Sequence, residues 1–310
     1  MSRVLVLGAA GRLGHAAADA FGAAGWSVTS LVRPGGRGRA PRNTIIVEAN
    51  ALDRAAVNET ARGHDVVLHA LNPPYTEWAK SALPLAYAAI EAAESAGAAL
   101  LFPGNVYNYG AGMPAVLDER TPMRPSARKG QLRLQIEERM REASERGLRT
   151  IILRAGDFFG GGRGSWLDLV IIKDIARGQL TYPGPLDLVH EWAYLPDVGA
   201  ALVRLADARE KFEKFETFGF AGHAVTGREF VSAIVKAVGH GLKVKPMSWW
   251  LIHVLRPIVR ICRELSEMAY LWQEPHRIAP DKLKAAIGEI PHTPLDEAMV
   301  RALRALGLRV

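Results

Sequence analysis

Short apolar runs alternate with amphipathic stretches through the first half of the chain. Residues 4–7, 28–32, 45–47, 66–69, 99–102 and 150–153 each predict a short strand. The runs are almost continuously apolar, which is the pattern of strands buried on both faces. Between them, residues 16–24, 52–62, 78–95 and 131–146 predict helices, stopped at Gly25, Gly63, Gly97 and Gly147. Asp53 stands near the start of the second helix, and Leu132, Ile136, Met140 and Ala143 share one side of the fourth. Strands that alternate with helices predict an α/β fold, a doubly wound parallel sheet with helices on both faces.

After residue 155 the pattern changes. A glycine-rich loop covers 160–164, and short strands and helices with many aromatic residues follow. Thr226-Gly227-Arg228-Glu229 has the form of a capping box and opens a helix to about residue 238. Residues 247–272 read as helical with a break at Pro257, and 295–306 as a closing surface helix. The chain therefore divides into a sheet domain, 1–155, to which later segments return, and a smaller, mostly helical substrate or cap region, 156–310.

Composition narrows the classes. With 49% apolar and 23% charged residues over 310 positions, the chain is neither disordered nor fibrous. The single cysteine, Cys262, excludes a disulfide framework within the chain and any multi-cysteine zinc site, and the nine histidines show no metal-ligand spacing. No metal is expected. Net charge is 39 − 32 = +7 and the pI about 9.6. Four arginines and no acid fall between residues 33 and 47, a local cluster suited to one phosphate rather than to a long polyanion. The partner expected is a small molecule, not a nucleic acid.

The apolar start meets Gly8 and Arg12 at once, unlike a signal peptide. The longest uncharged stretch, 95–117, holds prolines and glycines that exclude a spanning helix. A cytoplasmic protein with no membrane partner is expected. Arg256, Arg260 and Arg263 raise a membrane-surface role for 247–272, but without a clean basic face the preferred reading is a helical cap over a pocket.

Gly8-Ala9-Ala10-Gly11-Arg12-Leu13-Gly14 follows the first strand and opens the first helix. Glycines there let the backbone turn tightly and approach a pyrophosphate, whose charge sits on the helix N-terminus. This predicts a Rossmann-type dinucleotide site at Gly8, Gly11, Arg12, Leu13 and Gly14. Arg33 directly follows the second strand, and the next acid after Asp19 is Glu48. An acid at that strand end favours NAD and a base favours NADP. NADP is therefore preferred over NAD, with Arg33 and Arg12 as ligands of the 2′-phosphate and Arg37 or Arg39 assisting.

The G-x-x-G-x-x-G spacing resembles the extended short-chain dehydrogenase/reductases, in particular the NAD-dependent epimerase/dehydratase family. Further segments resemble that family in the same order: Asp65-Val66-Val67-Leu68-His69-Ala70, Val106-Tyr107-Asn108-Tyr109-Gly110, Ile152-Leu153-Arg154-Ala155-Gly156-Asp157-Phe158-Phe159-Gly160, and Trp192-Ala193-Tyr194-Leu195-Pro196-Asp197-Val198. The resemblance implies a cofactor lying beside Ala70. It also implies a catalytic tyrosine, a lysine four residues later and a serine or threonine. At the matching positions this chain has Lys129, Arg133 and Asn105.

Several readings follow from that departure. Lys129 serves as general acid if burial and Arg133 ease its proton away. Tyr107 or Tyr109 supplies a phenol instead. Arg133 holds the ribose of the cofactor. Alternatively, Lys129, Arg133 and Glu137, at i, i+4 and i+8, are a solvated stripe. His69 reads as a buried structural histidine. Asn72-Pro73-Pro74-Tyr75 reads as a loop bordering the nicotinamide, and Trp78, Phe158, Phe159, Trp166, His190 and Trp192 are candidate pocket walls. The helices at 78–95 and 131–146 match those through which relatives pair, which implies a two-fold homodimer. The reading is an NADP-dependent oxidoreductase or epimerase/dehydratase-like enzyme with an altered proton-transfer site, acting on a small carbonyl or alcohol. The rival is an NADP(H)-binding redox sensor without turnover.

Overall fold

The computed structural model describes all 310 residues. Its centre is a seven-stranded, fully parallel sheet. The strands are β1 (Arg3–Leu7), β2 (Ser27–Val32), β3 (Ile45–Glu48), β4 (Val66–His69), β5 (Ala99–Gly104), β6 (Thr150–Arg154) and, much later, β9 (Phe215–Gly219). Their order across the sheet is β9-β6-β5-β4-β1-β2-β3. Val4 of β1 lies between Val28 of β2 and Val66 of β4.

Alternation along β1 divides the core into two layers. Val4 and Val6 face α1 (Arg12–Ala23) and α5 (Leu195–Asp207), burying Phe21, Val198 and Leu202. Leu5 and Leu7 face α3 (Trp78–Ala96) and α4 (Arg128–Glu145), burying Ala86, Ile90, Ile136 and Met140. The apolar runs are continuous because both faces are covered. α2 (Arg54–Ala61) packs on α3, and the Asp53 side chain caps it by accepting the Ala56 N–H at 3.2 Å. Of the apolar residues of α3 that favour pairing between chains, Ala82, Leu85, Ala86, Ala89, Ile90 and Ala93 are buried within this one chain and Leu83 is half-buried. The surface argument for a dimer through α3 therefore loses most of its apolar area.

The second region holds more strand than its sequence pattern announces. β7 (Asp157–Phe159), β8 (Val189–Tyr194) and β10 (His223–Thr226) form a three-stranded sheet with β8 in the middle. With α6 (Gly227–Val238) and the C-terminal helix Leu295–Ala305 it encloses a separate aromatic core of Phe159, Tyr182, Trp192, Phe230 and Trp272. Thr226 and Glu229 close the capping box of α6. Two short helices follow, α7 (Trp249–Leu255) and α8 (Arg260–Ser266), with the break at Pro257 between them. α5 and β9 return to the first region, α5 against α1 and β9 beside β6.

Candidate active site

The C-terminal ends of β1, β4, β5 and β6 meet the second region, which is where open α/β sheets build their sites. The loop from Gly8 leaves β1 with Gly8 at φ +85°. A Cβ on Gly14 would stand 2.4 Å from the Gly8 carbonyl oxygen, so the helix presses on the loop at a distance that only glycine permits. A Cβ on Gly8 would meet the Ala70 carbonyl oxygen at 3.0 Å, which places the end of β4 directly beside the loop. α1 begins at Arg12 with no side-chain cap, so its first-turn amides remain for an anion. These features fit a dinucleotide pyrophosphate.

The Arg12 side chain, expected to hold phosphate, has partners within the protein. Its guanidinium donates to the carbonyls of Phe158 (3.2 Å), Gly160 (2.8 Å) and Gly164 (3.3 Å). Burial lowers it to about 10, against the opposing pull of Asp168 and Asp157. The side chain thus holds the 158–164 loop over the glycine turn. Arg33 differs: it is exposed directly beyond β2 and takes part in no ion pair. The nearest acid, Glu48, accepts the backbone N–H of Arg37 at 3.0 Å.

A cavity of about 660 Å³ lies beyond the glycine loop. Its walls include Asn72, Pro73, Pro74, Tyr75, Trp78, Asn105, Tyr107, Arg133, Asp157, Phe158 and Trp166, with Ile261 and Leu265 from the α8 segment. Phe159, His190 and Trp192 lie behind this surface in the second core. α4 reaches the cavity because Gly130 lets its first turn touch the loop after β5: a Cβ there would lie 2.3 Å from the Tyr107 carbonyl oxygen.

The charged stripe of α4 faces inward at all three positions, not toward solvent. Arg133 donates to the Pro103 carbonyl at 3.2 Å and lies 5.0 Å from the ring centres of both Trp78 and Phe102. Its Nε is buried without a partner. Glu137 makes a two-pronged pair with Arg154 (3.0 and 2.7 Å), and Arg154 also donates to the Asn105 carbonyl at 2.7 Å. Burial works against the Arg154 charge, yet Glu137 holds it above its ordinary value. This pair fixes the loop after β5 against β6 and α4.

Lys129, expected as a candidate general acid, also has partners within the protein. Its ammonium is 2% exposed and bonds Glu264 and, at 2.6 Å, Glu267 of the α8 segment. It does not line the cavity. The residue at the tyrosine-equivalent place is a buried clamp between α4 and the cap, 5.2 Å from the ring centre of Tyr75.

The polar groups at the cavity wall are phenols and a carboxylate. The Tyr107 and Tyr75 hydroxyls are 2.8 Å apart. Burial raises Tyr75 to about 12 and Tyr107 well above the ordinary phenol value, so both remain protonated at neutral pH. Asn105 accepts the Tyr107 N–H through Oδ1 at 3.1 Å and so shapes the loop that presents the phenol. Tyr109 is directed elsewhere and donates to the Asp118 carbonyl at 3.2 Å. Asp157, which the sequence reading did not single out, lines the cavity and pairs with His190 Nε2 at 2.9 Å. His69 is buried against Phe102, and burial followed by Arg133 holds it down to about 3. It is a neutral structural imidazole, with its Nδ1 unpartnered.

Residues 4–219 match the model of the NAD dependent epimerase/dehydratase family, and the chain belongs to that family. It is 32% identical over 217 residues to a 3-diazoavenalumate denitrifying reductase from a Streptomyces species, covering 64% of this chain and 71% of that protein. Among solved structures it is similar to a UDP-glucose-4-epimerase from Stenotrophomonas maltophila with bound NAD and formylated UDP-arabinopyranose. That match has a TM-score of 0.75 at 16% identity and covers 97% of this chain and 96% of the other. The Bordetella bronchiseptica enzyme WbmH in complex with NAD+ is similar at a TM-score of 0.75 and 17% identity, over 98% of each chain. These structural likenesses establish the fold. No helix in the chain is long and apolar enough to cross a membrane.

Proposed function

We propose that the chain is an NADP(H)-dependent oxidoreductase acting on a small carbonyl or alcohol, with Tyr107 in the proton-transfer role. The observation that carries this is the Tyr107–Tyr75 hydroxyl pair at the wall of the cavity, beside Arg133. No tyrosine in the chain is followed by lysine four residues later, so the usual family arrangement is absent. A bound nicotinamide dinucleotide supplies hydride transfer. The glycine turn and α1 hold its pyrophosphate, Arg33 its 2′-phosphate, and Arg133 its nicotinamide-side ribose; the buried, unpartnered Arg133 Nε fits that task.

The residues around the cavity account for the proton. Two hydroxyls that share one hydrogen bond use one proton between them and leave the other to be directed into the cavity. With Tyr75 Oη as the donor within the pair, Tyr107 Oη keeps its own proton for a substrate oxygen, and Tyr75 Oη then supplies the replacement. Burial disfavours the phenolate that donation leaves behind, and Arg133 offsets part of that cost. Trp78, Phe158 and Trp166 exclude water from the same space.

The sensor reading draws support from Lys129, which binds the cap instead of a substrate. A panel of carbonyls followed by NADPH absorbance separates the two. Tyr107→Phe is expected to keep NADP affinity and slow turnover by roughly two to four orders of magnitude. Undiminished turnover in that variant refutes the role given to Tyr107. Tight NADP binding with no turnover of any carbonyl or alcohol favours the sensor.

A further inference from the structure

The α7–α8 segment leaves apolar surface that the fold does not cover. The chain exposes eleven large apolar side chains, and five of them (Trp250, Leu251, Val254, Ile258 and Ile261) fall within twelve residues. Trp250 is 69% exposed, Val254 61% and Ile258 85%. A cluster of this density is not the scattered exposure that every soluble surface shows.

The charge around the patch points to its partner. From Phe230 to Arg263 there are six lysines and arginines and no aspartate or glutamate. Arg256, Arg260 and Arg263 are exposed on the segment that carries the apolar side chains, and Lys243 and Lys245 are exposed just before it. The acids that follow, Glu264 and Glu267, turn inward to Lys129. Arg260 has Glu77 across from it at 3.5 Å and Arg263 has only the long contact to Glu264 at 3.7 Å, while Arg256 has no acidic partner. A second copy docking by two-fold symmetry would bring this cationic patch against itself. An anionic surface with an apolar interior satisfies both features.

We propose that α7 and α8 seat the protein on an anionic lipid bilayer. Trp250, Val254 and Ile258 enter the boundary between headgroups and acyl chains, and Arg256 and Arg263 meet the phosphates. The segment lies on the membrane and does not span it. The cap role and the surface role coexist, because Ile261 and Leu265 line the cavity while the residues before them face outward. Docking thus sets one wall of the cavity against the bilayer.

The test is sedimentation of the full chain with vesicles of phosphatidylcholine alone and with added phosphatidylserine, at low and high salt. Binding is expected to the phosphatidylserine vesicles and to weaken with salt. Arg256→Glu is expected to lower binding by more than the roughly fivefold that one lost cation represents. Ile258→Asp is expected to lower it roughly tenfold or more, since burial of one large aliphatic side chain is lost. Both positions are exposed, so an unchanged melting curve will show that the fold is intact. A parent protein that stays in the supernatant at low salt overturns the proposal, as does equal sedimentation of Ile258→Asp. If the parent ignores vesicles but light scattering shows a dimer that Ile258→Asp dissolves, the patch is a self-contact and the membrane reading falls.

Discussion

Replacing Lys129 by methionine tests whether this residue is a clamp or a proton donor. Methionine keeps most of the volume and removes the ammonium. Glu264 and Glu267 then stand together with no cation between them. Glu267 keeps one compensation, the Arg128 N–H at 2.5 Å, and Glu264 keeps only a long contact to Arg263 at 3.7 Å. Breaking a fully buried ion pair by removing one partner costs about 3–5 kcal/mol. The lysine is 2% exposed, but the carboxylates are 14% and 23% exposed, so water screens part of the loss. The expected cost is about 2–3 kcal/mol, less than the buried limit. For a chain of this size that lowers the melting temperature by roughly 3–5 °C.

Thermal melts followed by circular dichroism measure this, and protease cleavage within the α7–α8 segment reports whether the cap has loosened. Adding Glu264→Gln and Glu267→Gln to Lys129→Met removes the stranded charges and is expected to recover more than half of the loss. NADP affinity should be unaffected by Lys129→Met, because the side chain does not line the cavity. A melting temperature within about 1 °C of the parent, with unchanged cleavage, refutes the clamp, since a shift that small corresponds to well under 1 kcal/mol.

Two further outcomes follow from the geometry. Arg33→Ala should weaken NADP far more than NAD in calorimetric titrations, since a charge-assisted bond to phosphate contributes about 1.5–3 kcal/mol; equal affinity of the parent for both nucleotides removes this reading. Glu191, buried and accepting the Gly222 and Ile278 N–H groups at 2.8 and 2.9 Å, is pushed by burial up to about 7 from 4.5. Its folded value is raised, so its contribution to stability is complete below the unfolded value and is lost as pH rises through about 7, worth about 3 kcal/mol. His69 and His276, held down to about 3 chiefly by burial, act oppositely and cost stability as pH falls below 6.5. The difference between parent and Glu191→Gln in urea melts across pH isolates the glutamate, and parallel pH curves for the two count against it.

The sheet was legible because its signal is local. Continuous apolar runs, glycine stops, the Asp53 cap and the capping box at Thr226 are each set by neighbours within a few residues. α4 shows where that logic slips. The apolar pattern starts the helix at 131, but it begins at Arg128 and takes in Gly130. The glycine is there for contact with the Tyr107 carbonyl, a neighbour that only the fold supplies. The stripe of Lys129, Arg133 and Glu137 misleads for the same reason. Charges at helical spacing usually face water, yet the partners of these three come from α8, from the Pro103 carbonyl and from Arg154. Glu264 is 135 residues from Lys129, and no pattern in the helix announces it.

The departure at position 129 and the phenol pair are parts of one arrangement. A proton donor must reach the substrate and must leave a charge that its surroundings tolerate. Lys129 fails the first condition, because two carboxylates of the cap take its ammonium. Tyr107 lines the cavity, and the two charges around it act in opposite senses: Arg133 favours the phenolate, while Asp157 disfavours it. Arg133 then has two tasks in the proposed reaction, holding the cofactor ribose and stabilising the phenolate after donation. Here the cation stays at the matching place on α4, and the phenol comes from the loop after β5, which Gly130 brings within reach of that helix.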